Sequence, residues 1–365
     1  MTLFSKYNLN EVLNKSLKNI NFTNPTPIQE KSIPLILQGK DILGSAQTGT
    51  GKTAAFCIPL LELLIKSSRG SLLIMIPTRE LAKQVLDVIN SLLGFKSSIN
   101  TATLIGGESM SKQLSQLKKR PRIYVGTPGR INDHLQRGTL NLHDAKYLVL
   151  DETDRMLDMG FEVQINKIIK FLPVSKQVLM FSATIPNNIL KLSSKYLNDP
   201  VRISVGESNT AAKNIKQEII ELKFDEKLDE LINQINTRSG SILIFVKTKY
   251  GTEKLSKALS RSKIKSFPLH GGLRQSKRNT IMKNFRDMKF RILIATDVAA
   301  RGIDVPHIEH VINYDLPQMA EDFIHRIGRT ARAGSKGIAL SFVTKGDFSK
   351  WKEIQKILNP EKHIN

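Results

Sequence analysis

Three short stretches carry side chains whose types and spacing suit phosphate chemistry. The first is Ala46-Gln47-Thr48-Gly49-Thr50-Gly51-Lys52-Thr53, followed at once by the apolar helical run Ala54 to Ile65. Glycines let a loop curl so that successive backbone N–H groups converge on phosphate oxygens, and the N-terminus of the next helix adds partial positive charge. In that setting Lys52 reaches β- and γ-phosphates, and the Thr53 hydroxyl is a hard oxygen ligand suited to Mg2+. The generic phosphate loop has glycine where Ala46 stands, so the strict pattern fails by one residue. The second stretch is Tyr147-Leu148-Val149-Leu150-Asp151-Glu152, which sets two carboxylates at the C-terminal end of a strand, where open α/β sheets bind ligands. Asp151 would hold the metal through water, and Glu152 would orient and deprotonate an attacking water. The third, Ser182-Ala183-Thr184, places two hydroxyls after a later strand, where they could sense a terminal phosphate. By itself that tripeptide is an ordinary N-cap turn.

The elements needed to position these groups recur along the chain. Apolar, β-branched runs at Asp41 to Ser45, Ser71 to Pro77, Thr101 to Ile105, Arg122 to Gly126, Tyr147 to Glu152 and Gln177 to Ala183 alternate with helical stretches. That alternation predicts an α/β fold with a mostly parallel sheet and helices on both faces. Val205 to Asn214 has no apolar period and reads as a linker. A second series follows at Gln217 to Leu222, Ser241 to Val246, Ser266 to His270, Arg291 to Asp297, His310 to Asp315 and Gly337 to Val343. The expected organisation is therefore a domain over 1–204, a linker over 205–214 and a second α/β domain over 215–365, ending in a short helix and tail from Trp351.

Composition narrows the partners. The 365 residues carry a net charge of +22, which favours a polyanion, with nucleic acid ahead of an anionic membrane. Residues 1–210 hold 26 Lys and Arg against 16 Asp and Glu, and residues 211–365 hold 29 against 17, so both halves qualify as walls of an anion-binding cleft. Cys57 is the single cysteine, which excludes an intramolecular disulfide and a cysteine-based zinc site and suits a reducing cytoplasm. The apolar stretches are too short or too interrupted to span a bilayer, so no membrane partner is expected. With aromatic residues at only 6%, a grip on nucleic acid should fall on the backbone and not on stacked bases.

Nine motifs stand in one order: Phe22-Thr23-Asn24-Pro25-Thr26-Pro27-Ile28-Gln29, the Ala46 to Thr53 loop, Pro77-Thr78-Arg79-Glu80-Leu81-Ala82, Gly106-Gly107, Thr127-Pro128-Gly129-Arg130, Asp151-Glu152-Thr153-Asp154, Ser182-Ala183-Thr184, Ala295 to Asp304, and His325 to Arg332. Over essentially its whole length the chain resembles the DEAD-box family of ATP-dependent RNA helicases, and within it the short bacterial members built from two lobes. The resemblance implies two tandem RecA-like P-loop domains. It implies that Gln29 reads the adenine edge, Phe22 packs on the ring with Phe4 in support, and Thr26 positions the glutamine, while Ala46, Gln47, Thr48, Gly49, Thr50, Gly51, Lys52 and Thr53 cradle the phosphates of ATP. Asp304 would contact ribose. Arg329 and Arg332 would act as arginine fingers on the γ-phosphate, their spacing placing both guanidinium groups on one side of a helical turn. His325 and Arg326 would tie into Asp154 and the Ser182 to Thr184 segment.

RNA contacts are implied for Arg79, Gly106, Gly107, Thr127, Gly129 and Arg130 in the first lobe and for Thr248, Gln275, Arg278, Thr296 and Arg301 in the second. Such contacts reach the phosphodiester backbone, so binding is expected to be independent of sequence. The chain departs from the family pattern at Thr153, where alanine is usual, and at Asn21 and Ala331, where glycine is usual. The expected activity is RNA-dependent ATP hydrolysis with local separation of short duplexes by a monomer. An ATP-gated RNA clamp is the alternative, and a DNA helicase of the same superfamily is a further one.

Overall fold

The computed structural model describes residues 3–46, 49–94, 97–183, 185–205, 215–300, 305, 307–331 and 336–358. The chain divides into two compact units, Met1–Gly206 and Glu207–Asn365. In the first, β1 (Ile42–Ala46), β2 (Ser71–Met75), β3 (Thr101–Leu104), β4 (Ile123–Gly126), β5 (Ala145–Leu150), β6 (Gln177–Ser182) and β7 (Val201–Val205) form one sheet in the order β3-β4-β2-β5-β6-β1-β7. All its paired neighbours run parallel. The helices are α1 (Glu11–Asn19), α2 (Pro27–Leu37), α3 (Lys52–Lys66), α4 (Arg79–Leu93), α5 (Met110–Lys118), α6 (Pro128–Gln136), α7 (Thr153–Asp158), α8 (Glu162–Ile169) and α9 (Asn187–Tyr196).

Strand β2 shows how sequence makes this sheet. All five of its residues are buried, and the side-chain period of two sends Leu72 and Ile74 to one face and Leu73 and Met75 to the other. The first face packs against α1 to α4, with Leu13, Phe56, Leu60, Val85 and Ile89. The second packs against α6, α8 and α9, with Ile131, Ile165 and Ile189. The expected six strands are joined by a seventh, β7, at the edge next to β1. Val205, expected to open the linker, pairs instead with Ala46 as the last residue of β7. Residues 206–214 lie outside the described residues.

In the second unit β8 (Ile215–Glu221), β9 (Ser241–Phe245), β10 (Phe267–Leu269), β11 (Ile292–Ala295), β12 (Ile308–Asn313) and β13 (Gly337–Val343) form a parallel sheet in the order β10-β11-β9-β12-β13-β8. Its helices are α10 (Lys227–Thr237), α11 (Lys249–Arg261), α12 (Gln275–Arg286), α13 (Asp297–Ala300), α14 (Ala320–Ile327) and α15 (Phe348–Leu358). Strand β9 repeats the pattern of β2, with Leu243 and Phe245 in one core and Ile242 and Ile244 in another. Matching strand for strand, the second order reproduces the first without the edge strand β7. No helix among the described residues is long and apolar enough to cross a membrane.

Candidate nucleotide site and nucleic-acid face

Because every strand pair of the first sheet is parallel, the loops after β1 to β6 leave from the same edge. That edge therefore carries the phosphate loop, Arg79, Gly106-Gly107, Thr127–Arg130, Asp151-Glu152 and Ser182. The loop turns through Gly49 (φ +87°) and Gly51 (φ +90°), and α3 begins at Lys52. At Gly51 a side chain is excluded on two counts: the left-handed φ, and the amide of Gln29, into which a Cβ would run. Gln29 is buried, donates from Nε2 to the Gly51 carbonyl at 3.1 Å and accepts the Thr26 backbone N–H at 2.9 Å, so the glutamine and the loop move as one piece. Phe22 is half-buried and packs on the same apolar core in which Phe4 is wholly enclosed. Gln47 and Thr48 lie outside the described residues.

Lys52 is buried, and its Nζ has no hydrogen-bond partner. An unpaired buried cation is costly, and the phosphate oxygens of a bound nucleotide would supply its missing partners. The Asp151 carboxyl is also buried, and burial pushes its pKa from the ordinary 3.8 up to about 6; Lys52 opposes the rise, and the charges of Glu152 and Asp154 add to it. Asp151 and Thr53 offer hard oxygen donors, and a divalent cation would supply the positive charge that the Asp151 pocket lacks, so the residues present fit Mg2+.

Glu152 sits in the left-handed region at φ +52°, and its Oε2 accepts from Arg155 Nη1 at 2.8 Å in a fully buried pair. Asp154 accepts the Arg155 N–H on Oδ1 at 3.0 Å and the Ala183 N–H on Oδ2 at 3.1 Å, which links the acidic box directly to the Ser182-Ala183 turn. Ser182 Oγ is buried without a partner, and Thr184 lies outside the described residues. The Thr153 hydroxyl is within reach of two carbonyls, Leu150 O at 3.1 Å and Phe181 O at 3.2 Å, at the ends of β5 and β6. The departure from alanine at this position is thus an added tether between the two strands that carry the acidic box and the Ser182 turn.

The candidate nucleic-acid contacts of this unit also converge. Arg79 opens α4, whose N-cap Thr78 accepts the Leu81 N–H at 3.3 Å, and its guanidinium lies against Gly106 and Gly107. Gly107 has φ +75°, and a Cβ there would collide with Arg79. Thr127 caps α6 and donates its N–H to Leu104 O at 3.0 Å. A Cβ at Gly129 would meet nothing within 4 Å, so that glycine leaves open space at the helix start. Arg130 Nε stands 3.7 Å from Asp133.

In the second unit Thr248 caps α11 by accepting the Gly251 N–H at 2.9 Å, with the same backbone angles as Thr78, φ −129° and ψ 155°. Gln275 and Arg278 are buried on the first turns of α12, and Thr296 is buried after β11. Arg326 is engaged within the second unit. Its buried guanidinium forms a bidentate pair with Asp297 at 2.6 and 2.8 Å, donates to Asn313 Oδ1 at 3.1 Å and Asp315 O at 2.6 Å, and lies 4.8 Å from the Phe245 ring centre. His325 Nδ1 is buried without a hydrogen-bond partner, 3.8 Å from Asp322. The helical turn expected to carry both finger arginines is not there. Helix α14 stops at Ile327, Arg329 lies in the following turn with its Nε on His325 O at 3.2 Å, and Ala331 is left-handed at φ +55°. Arg301, Asp304 and Arg332 lie outside the described residues.

Residues 26–192 match the DEAD/DEAH box helicase family, and residues 223–334 match the helicase conserved C-terminal domain. The chain is 40% identical over 358 residues to the DEAD-box ATP-dependent RNA helicase CshA of Geobacillus kaustophilus (strain HTA426), covering 98% of this chain and 76% of that protein. The chain belongs to the DEAD-box helicase family. It is also 43% identical over 345 residues to the ATP-dependent RNA helicase CshA of Listeria monocytogenes, there covering 94% of this chain and 66% of the relative. Among solved structures, S. cerevisiae Dbp5 bound to RNA and ADP BeF3 superposes with a TM-score of 0.88 at 32% identity, over 98% of this chain and 94% of that one. Mss116p bound to ssRNA and AMP-PNP gives 0.87 at 31% identity, over 99% and 77%.

Sequence reasoning missed four buried or paired residues near these sites. Arg155 was readable as an i,i+3 partner of Glu152 on a helix start, and Asp297 as the acid beside Thr296. Gln113 and His134, buried polar residues on α5 and α6, left no signal in spacing.

Proposed function

We propose that this ATP-dependent RNA helicase couples its two ligands through the single edge of the first sheet. The observation that carries the reading is the set of bonds that ties the acidic box to the Ser182-Ala183 turn: the Glu152 N–H to Asp151 Oδ1, the Thr153 hydroxyl toward Leu150 O and Phe181 O, and the Ala183 N–H to Asp154 Oδ2, on the edge that also presents Arg79, Gly106-Gly107 and Thr127–Arg130. On this reading Gln29 selects adenine, because a carboxamide offers a donor and an acceptor together to N6 and N7. The loop amides and Lys52 hold the β- and γ-phosphates, and Asp304 meets the ribose. Thr53 and Asp151 would hold Mg2+, which when bound neutralises charge on the β- and γ-phosphate oxygens.

Glu152 orients a water in line with the γ-phosphorus and receives its proton, while the bond from phosphorus to the bridging oxygen breaks and leaves ADP and phosphate. Arg329 and Arg332 supply the compensating positive charge. The RNA strand is held by backbone contacts from both domains, 1–204 and 215–365, joined by the 205–214 linker. A strand bent to fit those contacts cannot stay in a regular duplex. At a DNA-like stacking energy of about 1.4 kcal/mol per step, opening roughly five steps costs on the order of 7 kcal/mol, within reach of closure around two ligands.

The test is the ATPase rate of the full chain with no polynucleotide, with single-stranded RNA, with the matching DNA and with a short RNA duplex, beside Lys52→Ala and Arg329→Ala. RNA should stimulate hydrolysis and DNA should not, since 2′-hydroxyls distinguish the two. Lys52→Ala should abolish turnover, and Arg329→Ala should lower it about a thousandfold, the lower end of arginine-finger effects. A rate indifferent to RNA refutes the coupling. Stimulation with long-lived RNA complexes and no strand separation would place the chain among clamps.

A further inference from the structure

Two of the segments assigned to strand contact are joined by a buried run of side chains that reaches neither ligand. Gln113 of α5 is fully buried, and its Nε2 donates to the carbonyl oxygens of Ile105 at 3.0 Å and Glu108 at 3.3 Å, the residues that flank Gly106-Gly107. With the amide nitrogen committed there, Oε1 is the atom that faces His134 of α6, 3.2 Å from its Nε2. An Nε2 hydrogen fits that acceptor, and Nδ1 then faces the Thr139 hydroxyl at 2.8 Å, which also lies 3.1 Å from the His134 carbonyl oxygen. Burial first, and Arg130 next, lower the His134 pKa, which favours the neutral ring. Glu108 is held a second time by Lys83 at 2.9 Å, one helical turn beyond Arg79.

We infer that Gln113 and His134 are positioning residues for RNA. One carboxamide braces both ends of the Gly106-Gly107 turn and, through the imidazole, fixes that turn against α6, whose first residues are Thr127 to Arg130. Two sets of backbone contacts are thereby held at one spacing, as successive phosphates of a single strand require. A misplacement of about 1 Å at a binding group can cost up to a hundredfold, so a residue that touches no phosphate can still set affinity. The inference rests on the RNA reading of this edge and names what holds the edge in register.

The experiment measures half-saturation of the ATPase by a short single-stranded oligouridylate, and the KM for ATP at saturating RNA, in the full chain. Gln113→Met removes the brace. Gln113→Glu keeps an acceptor for His134 but turns carboxylate oxygens on the two carbonyls. His134→Phe fills the same space without a donor, and His134→Gln restores an N–H toward Gln113. The first three should raise the RNA half-saturation about tenfold while the KM for ATP stays within about twofold, and His134→Gln should restore most of the loss. Arg79→Ala is the control for the edge itself. If Arg79→Ala weakens RNA binding while the Gln113 and His134 variants bind as wild type, the inference is overturned. An equal rise in both constants would also overturn it, as general loosening of the unit. If Arg79→Ala has no effect either, the RNA reading of the edge fails first. Should Gln113→Met not fold, Gln113→Glu and His134→Phe decide between the same outcomes.

Discussion

Asp151→Asn should make the nucleotide-free protein more stable while ending its activity. The carboxyl of Asp151 is wholly buried, and its pKa is raised from 3.8 to about 6, by burial above all. The folded state therefore holds the proton more tightly than the unfolded chain does. Stability from this group is fully present below pH 4 and is lost as the pH rises through about 6. A rise of about 2 pKa units at 1.36 kcal/mol each puts the penalty at neutral pH near 3 kcal/mol, an order-of-magnitude figure. Asparagine keeps the shape and the acceptor that binds the Glu152 N–H, 2.9 Å from Oδ1 in the native protein, without the charge. Denaturant titrations read by far-ultraviolet circular dichroism at a series of pH values should give curves that coincide near pH 3.5 and separate by about 3 kcal/mol at pH 7, equivalent to roughly 6–12 °C in Tm for a unit of this size. The single tryptophan, Trp351, belongs to the second unit, so its fluorescence serves as the internal control. Adding ATP with Mg2+ should stabilise the wild type more than the variant. Parallel curves with no dependence on pH would refute the argument that an uncompensated buried carboxylate is the source of the difference.

Ala331→Gly should stabilise the second unit by about 0.5–1 kcal/mol, because alanine at φ +55° carries a steric cost that glycine lacks; thermal unfolding followed at Trp351 measures it. Asn21→Gly, at φ +57°, should change stability by only a few tenths of a kcal/mol, since asparagine tolerates that region. Thr153→Val removes the hydroxyl shared by Leu150 O and Phe181 O and should cost about 1–2 kcal/mol of first-unit stability, whereas Thr153→Ser should cost far less. Denaturant midpoints of the two variants, compared at constant m-value, decide it.

Much of the frame was legible because it rests on apolar periodicity. β2 and β9 are continuous apolar runs buried on both faces, and such runs announce central parallel strands without help from tertiary context. β7 escaped notice because Val-Arg-Ile-Ser-Val alternates at a sheet edge and is only partly buried, so its five residues resemble the polar segment that follows. Lys52 and Asp151 could be singled out because glycine spacing and strand ends fix where such groups point, whereas Gln29 was singled out only by the family resemblance. The partners of Arg326 within its own unit were not legible, for the opposite reason. A basic residue in a motif looks available, and only the fold reveals that Asp297, Asn313 and Asp315 already claim its guanidinium. The helical turn expected at Arg329 is absent because Gly328 closes α14, and a helix end cannot be placed within two residues from spacing alone.

The repeated strand order sets two corresponding lysine–aspartate positions side by side for comparison. β8 occupies in its sheet the place of β1, and each is followed by a helix whose first residue is a lysine, Lys52 in α3 and Lys227 in α10. After β1 the chain passes through Gly49 and Gly51, and Lys52 Nζ is left buried and without a partner beside a carboxyl whose pKa burial has raised. After β8 the chain reads Leu222-Lys223-Phe224-Asp225-Glu226, with no glycine to turn the backbone amides inward. There Lys227 Nζ pairs with Asp315 at 2.8 Å and lies 4.7 Å from the ring centre of Tyr314. The same frame thus holds a lysine and an aspartate in both units. In the second they satisfy one another and stabilise the fold. In the first they form no ion pair, and on the function proposed above that unmet charge is what a nucleotide polyphosphate and its cation would satisfy.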